Sequence, residues 1–458
     1  MEPEPERGAQ PITLRAYARL VRRNRNFRRL WLAQIVSEIG DWFYTLSIYT
    51  LLLQFTGHAS SVALALVLQV LPQTLVGPTA GVVNDRLRRK HVMIAADLGR
   101  VLIVLAMLLV RSRSMVWLVY PLLLVETIMA AFFEPARSSV IPNIAARGDV
   151  LVANTLSSAT WSVNLVVGAS VGGVVAALFG RDAVFVLNAL SFLASAMLIG
   201  GMHFAEPHAE SGASLRARDL VDFFPVLEGI RYVRRHPTLL PTVFAKAGEL
   251  MVGPSWVIFT VMGAREFAVH WRGIDPARGA MLGMSILLGG RGLGALVGPL
   301  VAARWAGRSD RRLHLGILLG YLVIALGYGS LGSSRTVWIA AACAMLAHMG
   351  GSTVWVFSTT LLQLHTQDRF RGRVFAAELG FAMLTIAASA YVCGRFLDWG
   401  VSARTAATCT GLIMLVPAAL WALAMRVGMP DSPAALSPGS LVQPLEPESA
   451  QQPDPKKR

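Results

Sequence analysis

Apolar stretches of about 20 residues, the length of helix that crosses the hydrocarbon core of a bilayer, recur along this chain from Leu30 to Val427. Inside lipid no water satisfies a backbone N–H or C=O, so a spanning segment must make those bonds within itself or in a closed barrel. Runs of this length therefore predict helices. Twelve can be drawn, over 30–54, 60–83, 91–110, 115–136, 151–179, 183–203, 238–262, 279–303, 313–331, 336–362, 374–396 and 402–427, with polar residues interrupting the fourth, seventh and eleventh. Only 15% of the residues are charged, against about 25% in soluble domains, which also makes lipid the expected solvent. The expected fold is an all-α membrane protein with twelve transmembrane helices in two six-helix halves.

The division into halves follows from residues 204–237, the longest polar stretch within the apolar region. The expected organisation is a cytoplasmic segment over 1–29, a first bundle over 30–204, a linker over 205–237, a second bundle over 238–427 and a disordered tail over 428–458, rich in Pro, Ser, Glu and Gln. Within the linker, Leu220, Phe223, Phe224, Leu227 and Ile230 follow helical spacing and Arg231, Arg234 and Arg235 come after them. That pattern predicts an amphipathic helix on the membrane surface, bent or restarted at Pro225. The halves echo one another: "GPTAGVVNDRLRRKHV" follows the second span and "GPLVAARWAGRSDRRLHL", from Gly298, follows the eighth. Transporter folds assembled from repeats show such symmetry.

A net charge of +15 would suit a nucleic-acid partner if it formed one patch, but the arginines sort by membrane side instead. Arg15, Arg19, Arg22, Arg23, Arg25, Arg28 and Arg29 precede the first span, and Arg86 to Lys90, Arg147, Arg304 to Arg312 and Arg369 to Arg373 fill alternate loops. The positive-inside rule then places both termini in the cytoplasm and the protein in the plasma (inner) membrane, although three arginines in 265–278 fall on the outer side. No removable signal peptide is apparent. Cys343, Cys393 and Cys409 lie within spans and read as packing residues. The four lysines, Lys90, Lys246, Lys456 and Lys457, follow no glycine-rich phosphate loop, and HExxH, GxSxG and paired CxxC patterns are missing. ATP hydrolysis, enzymatic activity, a metal and a cofactor are thus not expected.

The loop "GVVNDRLRRK" carries five formal charges between Asp85 and Lys90. The order Gly81, Asp85, Arg86, Arg89, Lys90 resembles the motif between the second and third helices of the major facilitator superfamily. "FFEPARSSVIPNI", "LVANTLSS", "AVFVLNALSFLASA" and "EGIRYVRRHP" further resemble its drug-proton antiporter branch, which includes macrolide and enterobactin (siderophore) exporters. The resemblance implies that Asp85 meets the positive N-terminal end of the eleventh helix, near Gly372 to Val374, as a cytoplasmic gate. Asp97 and Arg100, one turn apart, would extend that network. Arg88 stands where the family usually has a second glycine, so a tight turn of positive φ is not provided for. The fifth span reads "GASVGG", similar to the antiporter signature with Ala169 in place of its proline. Gly168 and Gly172, followed by Gly173, offer a small-residue face for close helix approach.

A charge at the bilayer centre costs about 2.5–3.5 kcal/mol on insertion scales, so each one requires a reason. Glu38 and Asp41 share a face of the first span, Glu126 lies in the fourth, Lys246 and Glu249 in the seventh, Arg291 in the eighth and His348 in the tenth. Asp41 and Glu126 lead as acids for proton coupling; an ion pair that merely shapes the bundle is the alternative for each. Lys246 and Glu249, three residues apart, are placed to neutralise each other. Arg291, among glycines, is placed either to pair with Glu249 or to meet an anionic substrate, and His348 either to relay protons or to pack. Trp161, Trp256, Phe259, Trp355 and Phe357 either line a cavity for a bulky amphipathic ligand or face lipid and other helices. The resemblance implies export of small amphipathic substrates in exchange for protons by alternating access. The alternatives are a lipid or siderophore exporter of the same fold, or a sensor or scaffold that does not transport.

Overall fold

The computed structural model describes residues 14–146, 149–206, 224–269, 275–307 and 309–427, and among them only helices, turns and bends occur. The first half comprises α1 Leu14–Arg23, α2 Arg25–Thr56, α3 Ala59–Arg86, α4 Arg89–Ala106, α5 Val119–Ile144 and α6 Val150–Gly200. After the linker come α7 Phe224–Arg235, α8 Leu240–Ala245, α9 Val252–Arg265, α10 Pro276–Ala306, α11 Asp310–Leu331, α12 Val337–His365, α13 Asp368–Asp398, α14 Ala403–Ile413 and α15 Leu415–Val427. The segment 1–13, most of the linker and the tail lie outside the described residues.

The helix ends follow local chemistry. Asn24 accepts a bond from the Phe27 N–H and starts α2, which Gly57 stops in the left-handed conformation at φ +74°; glycine pays no Cβ penalty there. Ser309, Thr336 and Ser402 cap α11, α12 and α14 in the same way. Nine of the described helices are long and apolar enough to cross a membrane. The expected fifth and sixth spans form one of them, α6, which turns back at Gly180, φ +82°. The expected first span lies in α2 and the expected seventh is broken between α8 and α9 around Lys246 and Glu249; both fall short of that apolar standard. Leu102, Leu178, Leu326 and Leu420 stand exposed on helix exteriors, an arrangement that lipid accommodates and water does not.

The halves meet unevenly. At the end of the bundle away from the chain termini, α13 presses on α3: a Cβ on Gly394 would sit 2.9 Å from the Ala63 Cβ and from the Ser60 Cα. Nearby, Arg265 donates to the Gly57 carbonyl at 2.9 Å, and Arg278 to the Ala177 and Leu178 carbonyls at 3.3 and 3.4 Å. Gly77 and Gly81 fall about four and five turns beyond Ala63 on the same face of α3, and Gly380 and Gly372 about four and six turns before Gly394 on the same face of α13. Among the described residues, a Cβ at any of these four would meet nothing within 4 Å. The two helices therefore diverge toward the terminal end, leaving a crevice between the halves.

Helix α7 does not merely lie on the surface, as its amphipathic pattern suggested. Tyr232 stacks on Phe370 with ring centroids 4.5 Å apart, Glu228 pairs with Arg373 at 2.9 Å, and Val233 packs in a cluster with Val374. It is docked on the start of α13. Pro225 occupies the first turn, where its missing N–H costs nothing.

Candidate functional site

Between α2, α4 and α5, a single guanidinium faces three carboxyl groups. Arg100 forms an ion pair with Asp97 one turn away, and its Nη1 lies 3.9 Å from Asp41. Glu126 is buried within electrostatic reach of both Arg100 and Asp41. The guanidinium sits 4.6 Å from the Phe133 ring centroid and 4.2 Å from that of Phe192, so its faces are apolar and its edges alone remain for acids. Asp97 is wholly buried, whereas Asp41 keeps 38% of its side-chain surface open, although its Oδ1 is buried without a partner. One turn before Asp41, Glu38 accepts bonds from the amides of Gln34 and Asn164, both at 2.8 Å. Asp97 and Arg100 thus join the intramembrane acids rather than the loop network expected of them.

Trp42, which follows Asp41, reaches across to the second half. Its ring stacks on Trp256 of α9 with centroids 5.8 Å apart and planes 8° from parallel, and Tyr49 meets Trp256 edge-on at 5.9 Å. Arg291 lies over the Trp256 ring at 4.0 Å. Of the other expected aromatics, Trp161 touches Trp42 edge-on at 6.4 Å, Trp355 lies 4.7 Å from the Lys246 Nζ, and Phe259 and Phe357 are buried in the core.

Two expected pairings are corrected. Lys246 bonds Glu378 of α13 at 3.0 Å, not Glu249; the backbone leaves helical form after Ala245, so the three-residue spacing no longer places the two side chains together. Arg291 does not reach Glu249. That acid is buried with its Oε1 unpartnered, and its Oε2 lies 3.0 Å from where a Cβ on Gly351 would stand. His348 is buried and shares a 3.2 Å bond with the Tyr328 hydroxyl.

The small-residue motif faces two ways. Gly168 makes room for Trp42 and Gly172 for Phe43 and Leu46, all within the first half, whereas Gly173 makes room for Ser285 of α10 in the second. In the charged loop, Asp85 pairs with Arg89 at 3.4 Å and is 75% exposed. The side chains at 368, 369 and 371, on which the expected contact with the start of the eleventh helix falls, lie outside the described residues; among the described residues, a Cβ on Gly372 would meet nothing within 4 Å. Arg89 also donates to the Ser139 carbonyl at 3.0 Å, and the Lys90 Nζ to the Met202 carbonyl at 2.7 Å. Leu87 and Arg88 have φ of −107° and −64°, so the missing second glycine imposes no strain.

The sequence profile of the Major Facilitator Superfamily matches residues 30–377. The chain belongs to that superfamily. It is a multi-pass membrane protein of a family of transporters. It is 27% identical over 376 residues to the uncharacterized MFS-type transporter YfiS of Bacillus subtilis (strain 168), covering 78% of this chain and 83% of YfiS. It is 22% identical over 398 residues to macrolide efflux protein A of Streptococcus pyogenes, covering 84% and 94% of the two chains. Among solved structures, the nucleoside transporter NupG superposes with a TM-score of 0.68 at 10% identity, over 87% of this chain and 99% of that one; this likeness bears on the fold. Three contacts could not be read from spacing: Glu378 with Lys246, Asn164 with Glu38 and Trp42 with Trp256. The signal for Glu378 was an acid among the apolar residues of the eleventh span, which also holds Arg395.

Proposed function

We propose that this chain is a secondary active transporter that exports small amphipathic compounds in exchange for protons by alternating access. The observation that carries the proposal is the set of three acids, Asp41, Asp97 and Glu126, around the one guanidinium of Arg100. Fully ionised, the set holds two negative charges in excess, which low dielectric penalises. A proton arriving through the crevice removes one of them, and Asp41, the most open member, is its point of entry. Protonation changes the attraction between α2 and α4 and so biases which end of the bundle is open. The likeness to macrolide efflux protein A supports export and a bulky amphipathic substrate.

The crevice opens at the end bearing Arg86 to Lys90 and Arg304 to Arg312, which the positive-inside rule assigns to the cytoplasm of a plasma-membrane protein. The described conformation is then the inward-open one. Its cytoplasmic gate is the loop from Gly81 to Lys90, which closes against the start of α13. The test is uphill movement of fluorescent amphipaths driven by a proton gradient in liposomes containing the purified protein. Asp41→Asn should abolish uphill movement and retain downhill exchange. Unchanged uphill movement in both Asp41→Asn and Glu126→Gln would reject this coupling site.

A further inference from the structure

Among the described residues, Arg291 is an intramembrane cation without a counter-ion. Arg100 has Asp97 and Asp41, and Lys246 has Glu378; among the described residues no carboxylate pairs with Arg291, and its Nη1 is buried with no hydrogen-bond partner. The groups facing it are aromatic or neutral: the Trp256 ring, Tyr49, whose hydroxyl donates to Gln69 at 2.5 Å, and Tyr328, whose hydroxyl is shared with His348. A ring face offsets part of the cost of desolvating a guanidinium, but the buried Nη1 is left without an acceptor among the described residues.

The sequence around it explains why the side chain points where it does. In "GGRGLG", Gly290 and Gly294 bring α10 against the Ala341 and Met345 carbonyls of α12, while Gly289 and Gly292 bring it against Ser170 and Val166 of α6. Two faces of the helix are closed by backbone-close packing, and Arg291 occupies the remaining one, toward α9 and the Trp42–Trp256 stack. That stack has one ring from each half, so a ligand held there senses their relative position.

We infer that the transported substrates carry an anionic group that binds Arg291 and an apolar ring that lies against Trp42 and Trp256. The inference rests on the transport reading and names its substrate class. A carboxylate or sulfonate satisfies the guanidinium by charge-assisted, two-point hydrogen bonding, and the half-buried Trp42 ring, backed by the buried Trp256, supplies the apolar surface. The anion stays apart from the acids around Arg100, none of which acts on Arg291.

Three probes with one ring and different head groups test this: 1-naphthaleneacetate, 1-naphthaleneacetamide and 1-naphthylmethylammonium. Their binding to the purified full chain is measured by titration calorimetry, and their exchange is followed in liposomes. The acetate is expected to bind at least tenfold more tightly than either analogue. Arg291→Gln should remove that preference, Arg291→Lys should keep part of it, and Trp256→Phe should weaken all three probes alike. Equal binding of the three by the parent, preference for the ammonium, or a preference that survives Arg291→Gln overturns the inference and leaves amphipath transport standing. If the parent neither binds nor exchanges any of the three, the inference falls together with the transport reading. Should Arg291→Gln fail to fold, the head-group order in the parent and in Arg291→Lys still decides.

Discussion

The carboxylate of Asp398, the last residue of α13, accepts hydrogen bonds from the backbone N–H groups of Ala59 at 2.6 Å and Ser60 at 3.3 Å, the first two residues of α3. His58, the residue that precedes α3, makes no side-chain cap of its own. A helix of one half is thus capped from the other. Loss of such a cap costs about 0.5–2 kcal/mol, so Asp398→Ala should raise the population open at this end by about 2- to 30-fold. Ala63, buried under Gly394, reports the change. In a background with Cys343, Cys393 and Cys409 replaced by serine, Ala63→Cys should label faster with a membrane-impermeant thiol reagent when Asp398 is alanine, and only slightly faster when it is asparagine. Equal labelling in all three would deny the cap a role in closure.

Removal of the cation from the acid cluster should cost more than removal of an acid. Arg100→Met leaves the buried Asp97 and Glu126, and the more open Asp41, with no positive partner, a loss of about 3–5 kcal/mol by the usual cost of breaking a buried pair. Melting in detergent should fall markedly for Arg100→Met, much less for Asp41→Asn, and part of the loss should return in Arg100→Met with Asp97→Asn.

The Lys246–Glu378 pair offers a cleaner cycle because Lys246 lies in the break after α8 and Glu378 lies on α13. Lys246→Met alone strands Glu378, which is 1% exposed, and should destabilise by about 3–5 kcal/mol, whereas Lys246→Met with Glu378→Met should return close to the parent. The same cycle run with Glu249→Gln in place of Glu378→Met should show clearly weaker coupling. Coupling of equal strength would restore the sequence-based pairing with Glu249.

Gly173 and Gly168 should respond to different rescues. Gly173→Ala overlaps Ser285, an overpacking worth about 1–3 kcal/mol, and Ser285→Gly should restore melting and transport. Gly168→Ala overlaps Trp42 and should gain nothing from Ser285→Gly. Rescue of both variants by the one substitution would place the two glycines on a common face.

The spans were legible because the length of an apolar run is a local property, and the division into halves because one polar interruption is longer than the rest. Partners were not. Spacing along a helix reports neighbours three and four residues away, which found Asp97 with Arg100 and misassigned Lys246, whose acid lies 132 residues on. The break at the seventh span was visible as a polar interruption, but its consequence, the separation of Lys246 from Glu249, required the backbone.

The cap on α3 is asymmetric in a way that matters for how such a protein adapts. One partner is the peptide backbone at Ala59 and Ser60, present with every side chain but proline; the other is a single carboxylate at position 398. Substitutions along α3 other than proline at its first two positions can change its packing but leave the two donors in place, so the strength of this contact is set by a dial at one codon. On the proposed alternating-access reading, that dial lies at the rim, remote from Arg291 and Arg100, and a lineage could retune how long the protein waits in each state while leaving untouched what it carries.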